Sequence, residues 1–392
     1  MNTEVKKISI PLAVILLMFP QIIETMYSPA LTSIKNHFGV SAAAAAQALS
    51  IFFIAFAVGV VVWGRMCDVI GRRTSTLAGL MVFIVAAVFT LIAPSFNMLL
   101  VGFACCAFGA AVGSICIQTI IRDGYHGMEL SHVFSIVGTS IGLSPVVGML
   151  TGSWLTTHGG YTWVFSAMVI FVAALLVWAF IQLPETKPAN NRRDSLLAVG
   201  SKMLKDGHVW YVSLMVAIFN ISLFSYYSIA PFMFEKLGVS VEYFGYTGFV
   251  LAVGSIAGSL INMRLIRRHL SHDSIVRIAT VLLLLSGICV YLLKDSVWFF
   301  IPMTLVSLSF GLALPNLLSS ALTDYRDHLG SAGALLGLFY YLIIGFGLHA
   351  ASDSGSLAIT LLICGLVACI LVGLKLTLSL IDIDIDLKDI DF

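Results

Sequence analysis

Charge is what this chain has least of. Asp, Glu, Lys and Arg make up 10% of its 392 residues, where a soluble domain carries about 25%. With 59% hydrophobic residues and a mean hydropathy of +1.01, an ordinary water-soluble protein is excluded. The alternating pattern of outer-membrane strands is also missing, so a barrel is not expected. There is no GxxxxGK[ST] phosphate loop and no loop large enough for an ATPase domain, so energy must come from a gradient if it is used at all. The seven cysteines (Cys67, Cys105, Cys106, Cys116, Cys289, Cys364, Cys369) show neither CxxC nor Cys/His ligand spacing. They read as small apolar packing residues, and no metal or cofactor is expected. A net charge of +1 gives no reason to expect a nucleic acid. No nucleophile–base pair stands out, so the chain is not expected to be an enzyme.

What it has instead is long apolar runs. Twelve of them reach the length of about 20 residues that crosses a bilayer, starting near residues 8, 42, 75, 99, 130, 161, 209, 243, 276, 297, 332 and 356. The expected fold is all-α: a polytopic membrane protein with twelve transmembrane helices in two pseudo-symmetric six-helix bundles. Composition shifts once, at the polar segment 183–207. The bundles are therefore set at 1–183 and 209–380, joined by a linker at 184–208 and followed by an acidic tail at 381–392. Gly71-Arg72-Arg73 after the second run is echoed by Arg264, Arg267 and Arg268 after the eighth, a faint trace of duplication. With the N-terminus in the cytoplasm, 18 of the 21 Lys and Arg fall in the tails or inner loops, and only Lys35, Lys236 and Lys294 fall outside. The positive-inside rule thus places both termini in the cytoplasm, and the first run is too long to be a cleaved signal peptide.

Glu24 is the acidic residue that this reading puts deep in hydrocarbon. An ionisable group there costs several kcal/mol unless it is neutral, paired or facing water, so it is read first as functional. Without a counter-charge, burial favours the protonated form, which suits a proton carrier. A permanently protonated structural acid is the alternative.

The most specific motif is Gly64-Arg-Met-Cys-Asp68-Val-Ile-Gly71-Arg72-Arg73 at the inner end of the second run. Its glycines allow a tight turn and close helix approach. Asp68 is suited to a neighbouring helix N-terminus, so the loop reads as a breakable latch. This G-x-x-x-D-x-x-G-R-R pattern resembles the signature of the major facilitator superfamily. Tyr27-Ser-Pro29-Ala-Leu31, Arg122-Asp123, Leu183-Pro-Glu185-Thr and Pro315-Asn316 resemble the Bcr/CflA group of drug/proton antiporters. Gly138, Gly142, Pro145, Gly148 and Gly152 resemble the bendable antiporter helix of that group, with Ser144 and Met149 departing from it. Two further departures concern the mechanism. The group's arginine in the fourth helix is replaced by Phe103, Ala104 or Cys105, depending on the anchor. Its first-helix acid corresponds to Thr25, one residue and about 100° around the helix from Glu24.

Polar and aromatic residues on inner helices mark a candidate cavity. Gln21, Glu24 and Ser28 share one face of the first helix, with Tyr27 beside them; Asn220, Phe224 and Tyr227 share one face of the seventh, with Tyr226 adjacent. Gln118, Tyr246, Asn316, Tyr340 and Tyr341 add hydrogen-bonding groups. Such a pocket suits bulky amphipathic or cationic ligands. His349 reads as a second proton site or an interfacial residue, and Ser271-His272-Asp273 as a solvated connector.

These readings combine into a secondary transporter that exports an amphipathic or cationic small molecule in exchange for protons. It is expected as a monomer in a bacterial inner membrane, with the lipid bilayer, its substrate and protons as partners. The alternatives are a dedicated solute carrier, for a siderophore or metabolite, and a non-transporting receptor or scaffold.

Overall fold

A computed structural model describes residues 7–187 and 196–388, and all its regular structure is helical. Residues 1–6, 188–195 and 389–392 lie outside the described residues, and with them Arg192 and Arg193 of the linker and the end of the acidic tail. The first span starts at Ile10 with Pro11 in its first turn, where a missing N–H has no partner to lose. It passes through a 3-10 turn at Ser28–Ala30 into Leu31–Phe38 and stops at Gly39, whose φ of 63° is left-handed. The second span is Ala42–Ile70, capped by Ser41; the third is Arg72–Leu91; the fourth is Phe96–Gly124, capped by Ser95. The fifth and sixth run together as Gly127–Gln182 but break at Gly159 and Gly160, where the backbone leaves helical angles. That break falls where the apolar pattern divides them.

The second set of spans comprises Gly207–Lys236, Val241–Arg267, His272–Leu293, Met303–Ser320, Leu329–Ser354 and Leu357–Lys388. The tenth begins later than its hydropathy suggests. Val297–Phe300 is a 3-10 turn, and the helix proper starts only after Pro302. The twelfth continues to Lys388, so most of the segment read as an acidic tail separate from the bundle is helical. Extending an existing helix adds a hydrogen bond per residue without a new nucleation cost. Within the linker, Leu196–Met203 forms a short helix that lies against the eleventh span.

Small residues let the helices approach. Pro20 in the first span has no N–H to donate to the Leu16 carbonyl. Gly113 of the fourth span fits against that kink: a Cβ there would lie 2.5 Å from Leu16 O and 3.0 Å from Pro20 Cγ. The second and fourth spans meet at Gly59, close enough that Cys67 and Cys116 form a disulfide, with 6.2 Å between their Cα atoms. This corrects the reading of all seven cysteines as packing residues; a separation of 49 positions hid the pairing from sequence.

Contacts between the first six and last six spans run mainly along two seams, second with eleventh and fifth with eighth, with a smaller contact of the first and second spans on the seventh. Among the described residues, Lys7, Lys375 and the arginines near the span ends, from Arg72 to Arg277, lie at one end, hereafter the basic end. At the opposite, far end, Lys35 pairs with Glu235 at 2.7 Å, and Gln47 Nε2 donates to Asp353 Oδ1 at 2.8 Å. Nearer the middle, Ser50 donates to the Gly345 carbonyl at 2.8 Å. Met149 and Pro145 abut Gly248 in the far half of the second seam. One and two turns closer to the basic end, a Cβ on Gly142 or Gly138 would meet nothing within 4 Å. The seam is closed at the far end and splayed at the basic end.

Candidate functional site

Glu24 is 4% exposed, and its Oε1 has no hydrogen-bond partner among the described residues. Tyr227 of the seventh span and Tyr341 of the eleventh lie near it across the interface. None of the described residues brings a cation to it. The Tyr227 hydroxyl is buried and also without a partner. One turn further along, Ser28 donates its hydroxyl to the Tyr227 carbonyl, so the first and seventh spans meet at this level. An aromatic wall completes the space: Phe53 lies 4.6 Å from Phe224 between ring centroids, and Phe56 lies 5.0 Å from Tyr341. The Tyr340 and Tyr341 rings lie 4.4 Å apart between centroids. Gln21 and Gln118 are half-buried, each one helical turn nearer the basic end than Glu24 and Ser114. Polar side chains thus step inward from the splayed end to a buried acid.

Several sequence candidates lie elsewhere. Tyr27 turns into the first set of spans and stacks on Phe103 at 4.0 Å. Tyr226 faces away from its neighbour Tyr227, because consecutive helical residues diverge by about 100°, and donates to Thr247 Oγ1 at 2.7 Å. Asn220, 8% exposed, donates to the Val216 carbonyl of its own helix. Asn316 bonds Asn262 Oδ1 at 2.7 Å and faces His272 Nδ1 at 2.6 Å, joining the eighth, ninth and tenth spans near the basic end. A polar side chain in an apolar bundle needs a partner, and these three found theirs within their own half. Phe53 and Phe56, by contrast, join this central interface although the sequence did not single them out. Each sits in an apolar or small-residue run with nothing to mark its face. His349 lies exposed at the far end, 3.7 Å from Asp353. Ser271 caps the ninth span, His272 turns to Asn316 and Asp273 pairs with Lys375, so the three residues form no common site.

At the basic end, three sequence motifs meet. Arg72 Nη1 lies 3.5 Å from Asp68 Oδ1, Arg72 Nε lies 3.1 Å from Asp123 Oδ2, and Thr186 donates to that same oxygen at 2.8 Å. Glu185 accepts from the backbone N–H groups of Arg72 and Arg73 at 2.9 and 3.2 Å. It therefore occupies the N-terminus of the third span, where negative charge is favoured. Gly71, at φ 106°, lets the chain turn there; a Cβ would collide with the Glu185 carboxylate. The sequence assigned a helix N-terminus to Asp68. Here the third span's N-terminus is taken by Glu185, more than a hundred residues away.

The profile of the Major Facilitator Superfamily matches residues 13–348. The chain belongs to that superfamily. It is a secondary transporter and an integral membrane protein, not an enzyme. It is 27% identical over 337 residues to an uncharacterized transporter of Rickettsia felis, covering 82% of this chain and 83% of that one. Over 326 residues it is 25% identical to a chloramphenicol resistance protein of Pseudomonas aeruginosa, covering 81% and 76%. Its fold is similar to the crystal structure of a D-xylose–proton symporter, with a TM-score of 0.73 at 14% identity over 92% of this chain and 96% of that one.

Within this superfamily fold, the one-residue offset of the acid has a geometric meaning. Thr25 faces the fifth span, where a Cβ on Gly148 would overlap its hydroxyl, and Gly152 lies equally close to the Met26 backbone. Glu24 faces the seventh and eleventh spans instead. Of the three residues aligned with the group's arginine, Phe103 is buried on Tyr27, Ala104 is half-buried and Cys105 is exposed. The antiporter-like helix serves two contacts, the first span through Gly148 and Gly152 and the eighth through Pro145 and Met149.

Glu185→Ala removes two backbone-capping bonds from the third span. The expected loss is about 1–2 kcal/mol of stability, read as a lower thermal unfolding midpoint for the purified protein. An unchanged midpoint would show that the cap contributes nothing.

Proposed function

We propose that this transporter exports amphipathic or cationic small molecules in exchange for protons, with Glu24 as the proton-carrying residue. The observation that carries this reading is a buried, unpartnered carboxyl facing an unpartnered tyrosine hydroxyl at the centre of the molecule. Buried polar atoms normally have partners, and exceptions cluster where a ligand or proton completes the set. The aromatic wall of Phe53, Phe56, Phe224 and Tyr341 offers π-faces to a cation. A substrate cation entering it supplies the charge that lets Glu24 ionise and release its proton.

Direction follows from the positive-inside rule, which assigns the basic end and both termini to the cytoplasm of a bacterium. The closed far end and splayed basic end then describe an inward-facing state. Two bundles, 1–183 and 209–380, rock about the central site, and the Asp68–Arg72–Asp123–Glu185 cluster holds the inner loops of the first bundle together during the motion. The resemblance to the Bcr/CflA group and the likeness to a chloramphenicol resistance protein both favour drug efflux. The protein acts as a monomer, since each bundle pair contains a whole site.

Proteoliposomes carrying the purified protein test the coupling. With an outward-directed proton gradient, lipophilic cations or chloramphenicol should move inward while luminal protons leave. Absence of proton flux with every compound would refute antiport. The offset of Glu24 from the group's acid favours a second reading, a dedicated solute carrier. In that case deletion cells keep wild-type drug tolerance and lose growth on one nutrient or metal source.

A further inference from the structure

The far end holds a cavity of about 570 Å³ that the central site does not use. This is a size that fits an organic ligand. It lies across the seam: Lys35, Ala42, Ala43 and Ala46 come from the first two spans, and the remaining wall comes from the seventh, ninth, eleventh and twelfth. All three lysines that the sequence places at this end, Lys35, Lys236 and Lys294, line it. Lys35 is neutralised by Glu235 at 2.7 Å. Lys294 lies 4.7 Å from the centre of the Tyr291 ring, and neither it nor Lys236 takes part in a described ion pair. Asp295 is the other acid in the lining. Two exposed ammonium groups therefore face one carboxylate, an excess of one positive charge, above a floor of alanines with Phe232, Met233 and Leu357.

We infer that this cavity binds an amphipathic monocarboxylate from the far side of the membrane and thereby holds the far end closed. Charge complementarity selects the head group: one carboxylate balances Lys236 and Lys294 against Asp295. The apolar floor selects a medium-length aliphatic tail. Because the walls come from both sets of spans, separating them at the far end dismantles the site. A ligand that binds only the closed form shifts the population toward it, and the coupling is reciprocal. The consequence is an inhibitory site at the outer mouth of the substrate path, separate from the central site around Glu24. The inference rests on far-end geometry and stands whatever the cargo of the central site.

Decanoate is the probe, added to the full-length protein in nanodiscs of zwitterionic lipid, with decyltrimethylammonium as the matched cation. Hydrogen–deuterium exchange should slow in segments 229–237 and 352–358 with decanoate and not with the cation. The K236Q/K294Q variant should bind decanoate about tenfold more weakly, the loss expected of about one charge-assisted contact. A43F, which fills the floor without changing charge, should abolish protection. Unliganded melting points equal to wild type establish that both variants are folded. Three results would overturn the inference: no protection by decanoate, equal protection by the cation, or full protection retained in both variants. The last two would mean that the probe acts by partitioning into lipid.

Discussion

Glu24→Gln should reduce proton-coupled transport to background while the protein folds and inserts normally. The amide keeps the size and hydrogen-bonding reach of the acid but cannot take up or release a proton. Because the Glu24 carboxyl is buried with one oxygen unpartnered, a neutral replacement removes no salt bridge. Stability should therefore be unchanged or raised by about 1 kcal/mol, since a neutral amide is cheaper to bury than an ionisable group. Proteoliposome flux and thermal unfolding, measured on the same preparation, separate the two effects. Wild-type flux in the variant would remove Glu24 from the coupling mechanism.

Exchanging the acid with its neighbour, as E24T/T25E, should both destabilise the protein and leave transport absent. This variant restores the position of the acid in the drug/proton antiporter group, so resemblance alone predicts a working protein. The geometry predicts the opposite. Thr25 is fully buried, its hydroxyl donates to the Gln21 carbonyl at 2.7 Å, and the fifth span at Gly148 leaves no room for a larger side chain. A glutamate there overpacks the contact and buries a carboxyl without a partner, together about 3–5 kcal/mol. The centre, meanwhile, loses the group that faces Tyr227 and Tyr341. Retained stability with restored flux would show that the first span can rotate to present either position, and would sink the fixed-face reading.

These two results depend on different kinds of information. That Glu24 is costly was legible from its neighbours in sequence, because an apolar run of membrane length identifies its own solvent. That Thr25 is a packing residue was not legible, because its partner Gly148 lies on another helix. The same division separates Tyr226 from Tyr227. Both are polar aromatics in one run, and only the rotation of the seventh span decides that one meets Thr247 and the other faces Glu24. Asn316 looked like a cavity residue for its polarity alone, until Asn262 and His272 proved to be within reach. The latch motif was recognised by spacing, but Glu185 and Thr186 joined it only in three dimensions.

The sequence by itself determined the solvent of this protein, the number of its spans, which loops are basic and which acid is buried at a cost. Those properties are local: hydrocarbon thickness sets span length, and backbone hydrogen bonds in lipid must close within each helix. Only the tertiary structure decided which face of each helix meets its neighbours, which cysteines pair, where the seam is closed and what lies opposite Glu24. Those depend on close contacts between residues far apart in the chain, set by small residues and kinks that no single helix reveals.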